Sequence, residues 1–226
     1  MKVPFFKPSF DNQESNAVID VLNSGWLTTG SKCIEFEASF GKYLSSLENP
    51  SCISVNSATS ALHLALEAVG VSCGDEVICP SLTFTATAEV IRYLGATPVF
   101  ADIDLSTYCI DTLTIESLIT DKTKAIIPVH FAGFSCDLDE IYSLADKYSL
   151  YVIEDAAHSL PSIYKGERIG SHRSSAVCFS FYSNKTITTG EGGMLVTSNS
   201  RLAARAKVMR SHGINRDVFN RFTDVS

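Results

Sequence analysis

The sequence predicts an α/β domain built on a largely parallel sheet. Short apolar runs alternate with amphipathic helical stretches along most of the chain, and Gly, Pro, Ser or Asp break it between them. With 226 residues and 45% apolar content, the chain also has the material for a real core.

Taken in order, residues 11–24 predict a helix. Asp11 or Asn12 can cap it, Ala17, Val18, Val21 and Leu22 give it an apolar face, and Gly25 stops it. Trp26-Leu-Thr-Thr-Gly30 is an irregular connection in which Trp26 packs or, alternatively, faces a substrate. A second helix runs from about Cys33 to Leu44, with Ile34, Phe36, Phe40 and Leu44 apolar. The alternation then begins. Strands are predicted at Cys52–Val55, Glu76–Cys79 (closed by Pro80), Thr97–Ala101, Ala125–Val129, Leu150–Ile153, Ala176–Tyr182 and Met194–Thr197. Helices are predicted at Ala58–Val69, Phe84–Leu94, Leu113–Ile119, Leu138–Tyr148 and Arg201–Arg210, with Gly70 and Gly95 as stops. There is no internal repeat. The polar stretch His212–Ser226 carries no final element and predicts a truncated chain.

Composition narrows the function classes. A net charge of −7 without a basic run argues against nucleic acid or an anionic membrane as partner, and leaves room for an anionic small molecule at a local site. Seven cysteines lie scattered without CxxC spacing, several inside apolar runs, which predicts reduced thiols, a cytoplasmic compartment and no metal cluster. The N-terminus lacks the apolar core of a signal peptide, and no apolar run is long enough to span a bilayer.

In open α/β sheets ligands bind beyond the carboxyl ends of the strands, so the residue after each strand carries the interest. Asn56-Ser-Ala-Thr-Ser60 leads straight into a helix, whose N-terminal N–H groups suit either a phosphate or a plain side-chain cap. Phe84 can stack on a flat ring or pack in the core. His130 reads as a structural histidine. Glu154 and Asp155 need partners. One of them can hold a cationic ring nitrogen, and a metal bound by Asp155 and His158 would lack a third ligand. Ser180 offers a hydroxyl, and Lys185 stands just beyond a buried strand. A desolvated amine there becomes a nucleophile towards carbonyls, whereas a solvated one is only a loop lysine. An anion site, an aromatic platform, an acid for a ring nitrogen and a nucleophilic lysine are together the parts that hold pyridoxal phosphate.

Several motifs then resemble the DegT/StrS-type sugar aminotransferases, pyridoxal-phosphate enzymes of fold type I. They are Ser24-Gly-Trp-Leu-Thr-Thr-Gly30, Ser57-Ala-Thr-Ser-Ala-Leu62, Gly74-Asp-Glu-Val77, Pro80-Ser-Leu-Thr-Phe84, Pro128-Val-His-Phe-Ala-Gly133, Glu154-Asp-Ala-Ala-His158 and Ser183-Asn-Lys-Thr-Ile-Thr-Thr-Gly-Glu-Gly-Gly193. The resemblance implies a three-layer α/β large domain over 31–226, incomplete at its C-terminal end and missing a small C-terminal domain, with residues 1–30 as an N-terminal helix and connecting arm. It implies that Lys185 bonds the cofactor and carries the proton. Asp155 would pair with the ring nitrogen, His158 would lie near the phenolic oxygen, Phe84 would stack, and Ala58, Thr59 and Ser180 would hold the phosphate. Related enzymes transfer an amino group from an amino acid, usually glutamate, to a nucleotide-linked keto sugar for surface polysaccharide, lipopolysaccharide or antibiotic sugars. They are homodimers with shared active sites. A branch with histidine in place of the lysine dehydrates sugars, and Lys185 argues against it. The rival readings are a remnant that binds cofactor without turnover, and another fold type I enzyme such as a lyase or aldolase.

Overall fold

A computed structural model describes residues 3–44, 50–171 and 173–214. Helices α1 (Asn12–Ser24) and α2 (Ser31–Leu44) come first. They are followed by β1 (Ser51–Val55), α3 (Ala58–Ala68), β2 (Glu76–Pro80), α4 (Ala86–Tyr93), β3 (Thr97–Ala101), α5 (Thr112–Leu118), β4 (Thr123–Ile126) and α6 (Leu138–Tyr148). The chain continues through β5 (Tyr151–Asp155), a small hairpin of β6 (Ile163–Tyr164) and β7 (Glu167–Arg168), β8 (Ala176–Ser180), β9 (Gly193–Thr197) and α7 (Ser200–Arg210). The polar stretch beyond Ile214, on which the expected truncation rests, lies outside the described residues, as do Met1 and Lys2 at the N-terminus.

One sheet has the order β1-β9-β8-β5-β4-β2-β3. Strands β8, β5, β4, β2 and β3 run parallel to one another. Strand β9 pairs antiparallel with both β1 and β8, so β1 shares the common direction and β9 opposes it. The 181–192 connection contains no helix to carry the chain back across the sheet, so β9 returns as a hairpin partner of β8. Strand β3, at the sheet's edge, tolerates Pro98 within it.

Side-chain alternation divides the core into two halves and gives the three layers. Ile78, Ile126, Val152 and Val177 point to one face, against Phe40 and Leu44 of α2, Ile115 of α5 and Ile141 of α6. Their neighbours Val77, Ala125, Ile153 and Cys178 point to the other, against Leu62 and Leu66 of α3, Ile91 of α4 and Leu202 of α7. Cys52 and Cys79 sit in these strands as small apolar residues, and burial pushes both thiols up to about 12.

The elements differ from expectation at instructive places. Helix α1 forms, but it buries no residue, and Val18 and Leu22 are exposed. Local chemistry closes its ends: Asp11 and Glu14 make a reciprocal capping box, and Gly25 adopts the left-handed conformation at φ 73°. Helix α4 starts at Ala86, so Phe84 lies in the preceding turn. It is 77% exposed, which removes the core-packing alternative. Strand β4 ends at Ile126, and Val129 keeps only an isolated bridge to Asp155. Strand β8 ends at Ser180, after which the Phe181 N–H reaches across to Gly192 O at 2.9 Å. Trp26 packs over Gly30 and donates from Nε1 to Thr29 O at 3.2 Å. Among the described residues no helix is long and apolar enough to cross a membrane.

At the start of β9 the backbone passes so close to α3 that a side chain has no room. A Cβ on Gly193 would lie 2.5 Å from the carbonyl carbon of Ser57 and 2.7 Å from Ala58 N. Gly193→Ala should therefore destabilise the protein by about 1–3 kcal/mol, read as a lower urea midpoint at unchanged slope. An unchanged midpoint would show that the approach relaxes freely.

Candidate active site

The common strand direction brings five loops to one edge of the sheet: Ser57–Thr59 after β1, Thr83–Phe84 after β2, His130–Phe131 after β4, Asp155–His158 after β5 and Ser180–Lys185 after β8. Because β9 runs the other way, its entry residues Glu191 and Gly192 reach the same edge. These segments enclose a cavity of about 580 Å³. Ala58, Thr59, Phe84, Asp155, His158, Ser180 and Lys185, all seven residues expected from the sequence, line it. Thr83, Tyr182, Asn184 and Glu191 join them without having been foreseen.

Helix α3 offers its N-terminus to this cavity. Ser57 Oγ accepts from Ser60 N at 3.1 Å, so the side-chain cap anticipated from the sequence is present. That cap uses the Ser60 N–H. The earlier first-turn N–H groups, at Ala58 and Thr59, have no partner inside the helix, so capping and anion binding are compatible here.

The two adjacent acids of β5 part to opposite faces. Asp155 is 5% exposed and turns to the cavity, where Oδ2 accepts from Thr87 Oγ1 at 2.7 Å and Oδ1 from Ala157 N at 3.2 Å. Thr83 Oγ1 in turn lies 2.7 Å from Thr87 Oγ1. Sequence reasoning missed Thr83 and Thr87. Their signal was the spacing of four residues, which stacks two hydroxyls on one side of a helix start. The fully buried Glu154 turns away. It accepts from His130 Nε2 and from Tyr142 OH, each at 2.8 Å. His130 Nδ1 accepts from Cys136 N at 3.2 Å, which leaves Nε2 to carry the proton towards Glu154. His130 is thus the structural histidine expected. Burial alone would raise the Glu154 carboxyl, but the His130 and Tyr142 interactions outweigh it and hold the carboxyl below its ordinary range.

His158 and Lys185 line the same cavity. Burial lowers the basicity of the Lys185 amine, with Asp155 opposing. The His158 imidazole is lowered by burial and then by the Lys185 charge, again with Asp155 opposing, so it is neutral at pH 7. The turn that shapes this wall needs glycine at 133. Its φ is +87°, a Cβ there would meet His158 O at 3.0 Å, and its carbonyl accepts from Ser162 Oγ at 2.6 Å. A less basic amine, a carboxylate with a lone pair to spare, an exposed aromatic ring and a helix N-terminus fit one flat, anionic, aldehyde-bearing cofactor. Among the described residues no group of three or more His, Cys, Asp or Glu could hold a metal ion.

This fold is that of the pyridoxal-phosphate aminotransferase structures of fold type I. The chain belongs to the DegT/DnrJ/EryC1/StrS aminotransferase family, whose model matches residues 8–225. It is 45% identical over 221 residues to the UDP-4-amino-4-deoxy-L-arabinose–oxoglutarate aminotransferase of Shewanella sediminis, and 44% identical over 221 residues to the spore coat polysaccharide biosynthesis protein SpsC of Bacillus subtilis. Each match covers 98% of this chain and 56% of the relative. The structure of Spr1654 from Streptococcus pneumoniae in its PLP form superposes with a TM-score of 0.86 at 36% identity, covering 92% of this chain and 57% of that one. The chain thus spans about half the length of the relatives it matches.

The buried acid makes stability pH-dependent. The folded-state pKa of Glu154 lies below the unfolded one, so its stabilising contribution is complete above the ordinary 4.5 and is lost as pH falls through the folded value. Glu154→Gln should lower stability at pH 7 by roughly 1.5–3 kcal/mol and should lack this part of the acid limb in urea titrations. Equal pH slopes for the two proteins would refute the assignment.

Proposed function

We propose that this chain is the cofactor-binding part of a pyridoxal-phosphate aminotransferase that moves an amino group from L-glutamate to the keto carbon of a nucleotide-linked sugar, in the building of surface polysaccharide or lipopolysaccharide. The observation that carries the reading is Lys185, an amine of lowered basicity lining the same cavity as Asp155 and His158. The name of the Shewanella relative pairs a UDP-linked amino sugar with oxoglutarate, the keto acid of glutamate, and that of the Bacillus relative gives polysaccharide as product class.

When bound, pyridoxal phosphate supplies the electron sink that lets an amino acid lose its α-proton. In this reading the chain's residues do the rest. The Lys185 amine would hold the cofactor's aldehyde and would carry the proton between the cofactor's carbon and the substrate's. Asp155, held in place by Thr87 and the Ala157 N–H, keeps the ring nitrogen protonated through a charge-assisted bond. Phe84 covers the ring, the N-terminus of α3 at Ala58 and Thr59 holds the phosphate together with the Ser180 hydroxyl, and neutral His158 serves the phenolic oxygen. Phe84 and Tyr182 stay exposed beside the cavity, and the reading includes a homodimer that shares the two sites and covers them. The seven free thiols suit a reducing cytoplasm.

Absorbance spectra of the purified chain with pyridoxal phosphate test the reading. A visible band of lysine-linked cofactor should form, vanish in Lys185→Ala and be converted by L-glutamate. Asp155→Ala should keep the lysine link and lose most of the glutamate conversion, by a factor of about 10² or more. Failure of the wild type to form the band would overturn the proposal.

A further inference from the structure

The start of α4 gives the cavity more than the exposed ring of Phe84. Its first turn carries two threonines four positions apart, and the Thr87 N–H closes that turn on Phe84 O at 3.1 Å. The two hydroxyls and a carboxylate then stand in a row. Thr83 Oγ1 lies 2.7 Å from Thr87 Oγ1, and Thr87 Oγ1 lies 2.7 Å from Asp155 Oδ2. Thr83 is half-buried and lines the cavity, whereas Thr87 is wholly buried behind it.

Proton counting gives the row a direction. A threonine hydroxyl has one proton to give and lone pairs to receive. Thr87 gives its proton to Asp155 Oδ2. Its oxygen can then only accept from Thr83, and Thr83 has to be the donor of that bond. The far end of the row is fixed as well, because the Ala157 N–H donates to Asp155 Oδ1 at 3.2 Å. Each carboxylate oxygen therefore has one donor belonging to the chain, from α4 on one side and from the β5 loop on the other. Turning the carboxylate about its Cβ–Cγ bond breaks both. What remains open to the cavity on Asp155 is lone pairs alone, so a group set against it has to donate.

We propose that Thr87 is a positioning residue and that Thr83 orients it: the two hydroxyls form a one-way relay, Thr83 to Thr87 to Asp155, which holds the carboxylate as a fixed acceptor and makes the site select a ring whose nitrogen carries a proton. The inference rests on the pyridoxal-phosphate reading above and names two further residues that serve it. Neither threonine touches the reacting atoms. Their effect passes through Asp155, and it is confined to the one contact that Asp155 makes with the ring. Losing the Thr87 hydroxyl leaves Oδ2 without its donor and frees the carboxylate to turn, while Lys185 and the N-terminus of α3 keep their places. Losing the Thr83 hydroxyl spares the bond to Asp155 but leaves the Thr87 proton less firmly aimed, so its effect is smaller.

The test titrates the full chain with pyridoxal phosphate and, separately, with its deaza analogue, in which C–H replaces the ring nitrogen. Both dissociation constants are read from the lysine-linked absorbance band. The aldehyde and the phosphate are common to the two compounds, so the ratio of constants isolates the contact with Asp155. The wild type should prefer pyridoxal phosphate by about tenfold or more, the worth of one charge-assisted hydrogen bond. Thr87→Val, which keeps the shape and removes the hydroxyl, should bring the ratio to within about threefold of unity and leave the constant for the deaza analogue within about twofold of wild type. Thr87→Ser should restore most of the preference, and Thr83→Val should fall between. If Thr87→Val does not fold, Thr83→Val decides, and an undiminished ratio there overturns the relay. So does an equal loss of affinity for both compounds in Thr87→Val, which is what a merely structural threonine would give, or a wild type without preference. In each of these cases binding by the wild type upholds the functional reading. No band with either compound in the wild type would instead overturn that reading, and the relay with it.

Discussion

The carboxylate of Glu154, wholly removed from water, is the constraint on which the site's geometry depends. A buried charge is tolerable only when paired and hydrogen-bonded, and here His130 and Tyr142 supply the partners from the β4–α6 segment and from α6 itself. The same histidine takes the Cys136 N–H, so three segments are pinned by one anion. Alternation along β5 then leaves the next residue, Asp155, no choice of face. Its carboxylate emerges at the cavity floor while its backbone is held by Pro128 O and His130 N. The chemical acid is positioned by the structural one beside it.

Strand direction does the remaining assembly. Six strands that share a direction put five loops on one edge, and the reversal of β9 adds the glycine-rich entry at 191–193 to the same edge. The close approach of Gly193 to Ser57 couples that entry to the helix N-terminus on which an anion would rest. Lys185 is reached only through the loop between β8 and β9, so its position follows from a hairpin, whereas those of Asp155 and Ala58 follow from parallel crossovers.

The strand and the loop thiols show how little a residue type says by itself. Cysteines 52, 79 and 178 fill strand positions facing the two core halves, and their chemistry is silenced by desolvation. Cys109 and Cys136 sit instead in loops on the wall of a second cavity, with their sulfurs at the backbone carbonyls of Phe134 and Val129.

By itself the sequence determined the alternation of strands and helices along the chain and pointed to the strand ends as the place of a site, while the three layers and the roles of the seven named residues were what the family resemblance implied. The alternation is written in local pattern: apolar period, caps, and the breaks between elements. His130 as a structural residue was legible for the same reason, since an imidazole after a buried strand needs a buried partner. What the sequence left open was what depends on residues far apart in the chain. It did not show that Glu154 and Asp155 divide between faces with different partners, that Thr87 reaches Asp155 across sixty-eight positions, or that Phe84 is exposed on a cavity instead of packed beneath it. Nor did it show that α1 buries no residue, with Val18 and Leu22 exposed. Periodicity says which face of an element is apolar, and only the packed structure decides what that face meets.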